Sequence, residues 1–140
     1  MDKLRVLIID DSEVLLSNLQ ATLGIAGFDV TTTTQTVGVG RQVADRDLVI
    51  VDYHMPGVKG GDVAKSLRSA RESHARKFEI YLYTTDGDMA ARYSDLGFDG
   101  VLLGKGDSRS LVTQLTAIER RRKIASMVGA GGTPTPDKKP

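Results

Sequence analysis

Apolar residues along this chain follow two rhythms. Nearly unbroken apolar runs recur and end in polar residues. Residues 4–9 (LRVLII) end in Asp10–Asp11, 48–51 (LVIV) in Asp52, 78–83 (FEIYLY) in Thr84 and 100–103 (GVLL) near Lys105. Runs this short read as strands, the first as one buried on both faces. Residues 28–33 (FDVTTT) read as a further strand, and β-propensity accounts for the threonines at 31–34. Between the strands the spacing becomes helical. Val14, Leu15, Asn18, Leu19, Thr22 and Leu23 form a stripe that Ser12 can cap and Gly27 can close. Val63, Ala64, Leu67 and Ala70 mark a second helix opening at Gly60 or Gly61. Leu111, Leu115, Ile118 and Ala125 mark a long amphipathic last one. Shorter helices are expected over 37–44, weakened by Gly38 and Gly40, and over 89–96.

Strand and helix alternate five times, so the fold class is α/β, with a parallel sheet covered by helices on both faces. At 140 residues the chain suits one domain. Residues 1–127 are expected to fold, and 128–140, rich in glycine and proline with Lys138–Lys139, to form a disordered tail. Nothing after 127 reads as a second core, and the Thr-Pro-Thr-Pro stretch there would suit a linker to a further domain.

Composition narrows the chemistry. A chain 40% hydrophobic and 26% charged is a soluble globular type. The formal charge of 19 − 18 = +1 gives no general field for nucleic acid or membrane. The absence of cysteine excludes disulfides and thiolate metal sites. The first apolar run is too short for a leader or a membrane span, so a cytoplasmic home is expected. The RRRK run at 120–123 reads as a cationic helix end rather than a nucleic-acid patch, since no aromatic residues interleave it.

In open parallel sheets, ligands bind outside the carboxyl ends of the strands. The polar residues that end these runs would therefore meet in one cleft: Asp10, Asp11, Asp52, Thr84 and Lys105. Capping explains one strand-end aspartate well, and five such positions together poorly. Clustered carboxylates repel, and a hard divalent ion such as Mg²⁺ relieves that. A carboxylate can also act as a nucleophile and form an acyl phosphate.

The pieces LIIDDS, VIVDYHMPGVKGG, YLYTT and VLLGKG, in this order at successive strand ends, resemble the receiver domain of bacterial two-component response regulators of the CheY-like, single-domain kind. The resemblance covers roughly residues 3–127. It implies a three-layer flavodoxin-like (βα)5 fold with strand order 2-1-3-4-5. It implies Asp52 as phosphoacceptor, and Mg²⁺ or Mn²⁺ held by Asp10, Asp11, Asp52 and the backbone carbonyl of His54. Thr84 would bond the phosphoryl group and Lys105 would pair with it. His54, Thr85 and Asp86 would modulate its lifetime or access, and Met55, Pro56 and Gly57 match the family's turn. The implied partners are a sensor histidine kinase or histidine phosphotransfer protein, and a downstream protein docking near 87–127. A monomer or a weak phosphorylation-dependent dimer is expected, without nucleic acid or membrane. The resemblance implies a phosphorylation-dependent switch that catalyses its own phosphorylation and dephosphorylation, not an enzyme turning over a separate substrate.

Three positions depart from the family. Gly106 replaces the proline that usually follows the lysine, so a trans peptide is expected. Leu102 stands at the aromatic switch position and can neither hydrogen-bond nor flip a ring; Tyr81 and Tyr83 are either its partial replacement or simply packed tyrosines. Thr85 stands where a small residue is usual and would narrow access to the acyl phosphate. His74, amid RESHARK, reads as a solvated helix-end residue. An aspartyl phosphatase would want two aspartates two residues apart and a cap domain. A flavin binder would want a phosphate loop where DDSEV stands. A receiver fold working as a non-phosphorylated interaction module is the remaining rival.

Overall fold

The computed structural model describes residues 3–36, 38, 41–43, 45–55, 58–73 and 78–130. Five parallel strands make the main sheet: β1 (Arg5–Ile9), β2 (Asp29–Thr33), β3 (Leu48–Asp52), β6 (Glu79–Tyr83) and β7 (Gly100–Leu102). A small antiparallel pair, β4 (His54–Met55) with β5 (Val58–Lys59), lies between β3 and the next helix and has no counterpart among the apolar runs. The spatial order of the main sheet is β2-β1-β3-β6-β7, which is the expected 2-1-3-4-5. The helices are α1 (Glu13–Ile25), α2 (Gly60–Glu72), α3 (Gly87–Ala91) and α4 (Ser108–Ala130).

Alternation along the strands divides the core in two. Val6, Ile8, Leu48, Ile50, Tyr83 and Leu102 face α1 and α4, where Leu16, Leu19, Leu23, Leu111 and Leu115 meet them. Leu7, Ile9, Val49, Val51, Ile80 and Leu82 face α2, where Val63, Ala64 and Leu67 pack with Phe78 and Phe98. Every residue of β3 is buried, as a central strand covered on both faces must be. Buried leucines and valines of this kind contribute ~1.5–3 kcal/mol each.

Local signals set the element ends. The Ser12 hydroxyl accepts from the Leu15 N–H at 3.2 Å and opens α1. Gly27 leaves it at φ +100°. Within α1 the buried face is Leu16, Leu19 and Leu23, with Leu15 only partly buried and Val14 73% exposed. The expected stripe is thus rotated by about one residue: Leu16, Leu19 and Leu23 share the buried face, and Val14, two positions before Leu16, stands roughly 200° around the helix from it. Ala125 of α4 is likewise exposed, since the buried stripe stops at Ile118.

The helix expected over 89–96 starts earlier and ends sooner. The Asp86 carboxylate accepts the N–H groups of Asp88 and Met89 at 3.0 and 3.2 Å, so α3 begins at Gly87. After Ala91 the chain passes through single turns to Gly97 at φ +98°. The last helix continues to Ala130, past the boundary expected at 127. Half of the expected helix over 37–44 lies outside the described residues, and Val43 is buried against the second core. His74, Pro56, Gly57 and residues 131–140 also lie outside them.

The RRRK run works as structure. Arg122 lies 2.6 Å from Glu79 and 3.6 Å from Asp47, and Arg121 lies 2.7 Å from Glu79. Asp47 is buried and accepts the Arg5 N–H at 2.9 Å. These pairs tie α4 to the end of the sheet opposite the strand-end aspartates. Among the described residues no helix is long and apolar enough to cross a membrane.

Candidate functional site

The carboxyl ends of β1, β3, β6 and β7 carry the chemistry. Asp10 directly follows β1 and is 2% exposed. One of its oxygens accepts the Ser12 N–H at 2.9 Å, which aims the other at the cleft. Asp52 is the last residue of β3 and is 5% exposed. Asp11 is exposed at the rim. Each of the three offers a carboxylate oxygen, and these oxygens all lie within 4.8 Å of one another.

Lys105 reaches into this group from the turn after β7. Its Nζ lies 2.9 Å from Asp10 and 3.0 Å from Asp52. Burial pulls the ammonium's pKa down, but hydrogen bonds and charge from Asp10 and Asp52 outweigh it, and the pKa stands above the ordinary lysine value. Lys105 is therefore charged at neutral pH and holds two buried carboxylates together.

Thr84 follows Tyr83, which pairs with Asp52 across the sheet, and is buried. Its hydroxyl oxygen accepts the Asp86 N–H at 3.1 Å, which fixes the oxygen and leaves the proton as a donor. Thr85 is exposed. The Asp86 carboxylate caps α3, so it is held in place beside the site. The backbone of His54 lies in β4, two residues past Asp52, and its side chain lies outside the described residues.

The lysine turn has supports that the sequence pattern does not reveal. Gln114 of α4 accepts the Leu103 N–H and donates to the Leu103 carbonyl, both at 2.8 Å. The Asp107 N–H closes the turn onto the Gly104 carbonyl at 2.9 Å. Gly106 sits at φ +101°, a conformation open to glycine and closed to proline. The Gly106 N–H donates to the Tyr83 hydroxyl at 3.3 Å. Among the described residues no peptide bond is cis, as expected for Lys105–Gly106. Gln114 has no signature in the sequence, because a glutamine beside an apolar stripe reads as a solvated position.

Leu102 is buried beside Tyr83, its partner across the β6–β7 ladder. Tyr81 lies on the same face, half-buried, with its hydroxyl 3.3 Å from Glu79 and 3.4 Å from Arg121. Both tyrosines are packed and hydrogen-bonded.

The arrangement can hold a hard divalent ion on oxygen ligands, present one carboxylate as nucleophile, and set an ammonium and a hydroxyl beside it. It matches what phosphoryl transfer needs, charge neutralisation and positioning.

Comparison with known proteins gives the same direction. The family model described as "Response regulator receiver domain" matches residues 6–116. The phosphate regulon transcriptional regulatory protein PhoB of Pseudomonas aeruginosa is 27% identical over 120 residues, covering 83% of this chain and 52% of that protein. The cell cycle transcriptional regulator CtrA of Caulobacter vibrioides is 34% identical over 123 residues, covering 86% and 52%. The chain thus spans about half the length of these curated relatives. Among solved structures, the chemotaxis response regulator CheY4 of Vibrio cholerae superposes with a TM-score of 0.68 at 24% identity, covering 83% of this chain and 98% of that one. The response regulator TrrA of Thermotoga maritima, solved in complex with Mg(2+)-BeF, gives 0.66 at 22% identity, covering 81% and 97%.

Proposed function

The chain belongs to the response regulator receiver family of two-component systems, and from that premise we propose that it is switched by phosphorylation of Asp52. The observation that carries this reading is the Lys105 ammonium, 2.9 Å from Asp10 and 3.0 Å from Asp52, within a cluster of three carboxylates. An ammonium so placed sets a positive charge where a transferring phosphoryl group would bring negative charge beside Asp52.

In the step proposed, an Asp52 carboxylate oxygen attacks the phosphorus of a phosphohistidine on a sensor kinase or phosphotransfer protein. The P–N bond breaks, the P–O bond forms, and the imidazole leaves. Asp10, Asp11, Asp52 and the His54 carbonyl would hold Mg²⁺, which neutralises charge on the transferring group. Lys105 moves its partner from the Asp52 carboxylate to a phosphoryl oxygen, and Thr84 donates its hydroxyl to another. Thr85 and His54, next to Thr84 and two past Asp52 in sequence, would tune access and lifetime, and Asp86 holds the loop that carries Thr84. Hydrolysis of the same acyl phosphate by water returns Asp52 and inorganic phosphate, so the domain resets itself without turning over a separate substrate.

The phosphoryl group adds about −1.5 to −2 charge at one strand end. Moving Lys105 and Thr84 toward it would bias the adjoining α3, β7 and α4 surface, near 87–127, where a downstream protein would dock in the cytoplasm. The test is amide NMR during titration with Mg²⁺, then with Mg²⁺ and beryllofluoride. Mg²⁺ alone should shift residues near 10, 11 and 52, and beryllofluoride should extend the shifts into 87–127. Shifts that never leave the strand ends would remove the switching part of the reading.

A further inference from the structure

The lysine turn poses a problem that the three carboxylates do not solve. Lys105 stands between Gly104 and Gly106, both at positive φ, in a turn whose Gly106 is exposed. Glycines on either side maximise the conformational freedom such a turn must give up. Yet Lys105 must meet two buried carboxylates at hydrogen-bond distance. Something outside the turn has to fix it.

Two contacts do so. Gln114 clamps the backbone of Leu103 on the side where the chain enters. On the far side the holding group is Tyr83. This side chain is 1% exposed and belongs to the close-packed core that holds Leu102, Leu111 and Leu115. Its hydroxyl accepts the Gly106 N–H, and its ring lies below Lys105, with Nζ 6.0 Å from the centroid. Both ends of one residue therefore bear on the same turn. The contact also depends on Gly106 having an N–H, which a proline there would lack.

We propose that Tyr83 is the positioning residue for Lys105: its hydroxyl anchors Gly106 and its ring floors the ammonium, so the rate of phosphoryl transfer to Asp52 depends on Tyr83 through Lys105. The part of this concerning rate rests on the phosphoryl-transfer reading above. Because Gly106 is exposed, water can replace the lost acceptor. Removing the hydroxyl should therefore disturb placement far more than folding.

The experiment is a double-mutant cycle on the full chain, Tyr83→Phe with Lys105→Ala, reading the initial rate of phosphorylation by saturating acetyl phosphate with Mg²⁺. Exchange of the Gly106 amide is measured alongside. Tyr83→Phe should slow the lysine-containing protein about fivefold, the scale of one hydrogen bond, and leave the Lys105→Ala protein unchanged. Gly106 exchange should quicken while the melting temperature holds. Equal slowing in both backgrounds would overturn the proposal, since a structural defect acts with or without the lysine; so would an unchanged rate in the lysine-containing protein. If the wild type takes up no phosphoryl group, the phosphorylation reading falls by itself. The Gly106 amide then decides the anchoring claim: faster exchange in Tyr83→Phe sustains it and unchanged exchange ends it.

Discussion

Lys105 carries more of the site than any other residue. Its ammonium lies between Asp10 and Asp52, whose side chains are 3% and 6% exposed. Removing one partner of a buried ionic group typically costs ~3–5 kcal/mol. Lys105→Ala should therefore lower metal-free stability by about 3 kcal/mol, read by urea unfolding. Millimolar Mg²⁺ should restore more of it in the variant than in the wild type, since the ion no longer competes with the ammonium for the same oxygens. A variant as stable as the wild type without metal would show that the two carboxylates do not need the lysine. This residue is legible in the sequence as a strand-end cation. That the ammonium bridges two carboxylates is not, since it depends on the path of the turn.

Elements explain why the turn lies where it does. The strand β7 is only three residues long and is tied on one side to β6. Gly100 opens it under the Tyr81 ring: a Cβ there would meet ring carbons at 2.6 Å. That ring is held by Glu79 and Arg121, so it cannot swing aside freely. Gly100→Ala should cost ~1–3 kcal/mol, the usual range for overpacking. The penalty should largely vanish in a Tyr81→Ala background, measured by the same unfolding curves. A full penalty in both backgrounds would place the strain elsewhere. Strand positions are legible because buried parallel strands read as apolar runs, and α2 and α4 because their buried residues keep helical spacing. The start of α3 is not, because Asp86 reads as a residue near the acceptor and proves to be the helix cap. The buried face of α1 differs from the expected one by a residue, because spacing gives a stripe's period and packing gives its phase.

On the scale of the whole molecule, the sheet separates two tasks. Its carboxyl end gathers Asp10, Asp11, Asp52, Thr84 and Lys105, while its other end binds α4 through Arg121 and Arg122. Both ends should fail together in alkali. Burial raises the pKa of Tyr81, with Glu79 adding and Arg121 opposing, and burial raises Tyr83 against the Gly106 bond and the Lys105 charge. Lys105 is raised as well. Groups raised in the folded state contribute stability that is complete below their unfolded values and is lost as pH climbs through the folded ones. Their contribution should be flat from neutral pH to about 9 and should decline beyond ~10. Tyr81→Phe should make that decline shallower. A decline as steep in the variant would show that Tyr81 does not take part. The five-stranded order and the gathering of site residues at one edge are legible from alternation, strand ends and the family resemblance they carry. The supports of the lysine turn, Gln114 and Tyr83, are not, because they are contacts between residues far apart in sequence.

The measurement that bears most directly on the central claim is the intact mass of the protein after incubation with acetyl phosphate and Mg²⁺, with Asp52→Asn treated in parallel. The wild type should gain one phosphoryl group, ~80 Da, as an acyl phosphate. The gain should require the metal, disappear with EDTA present from the start, and be absent from Asp52→Asn. An equal gain in Asp52→Asn would contradict the assignment of the acceptor. No gain in the wild type, from acetyl phosphate or from a phosphorylated histidine donor, would contradict the switch itself.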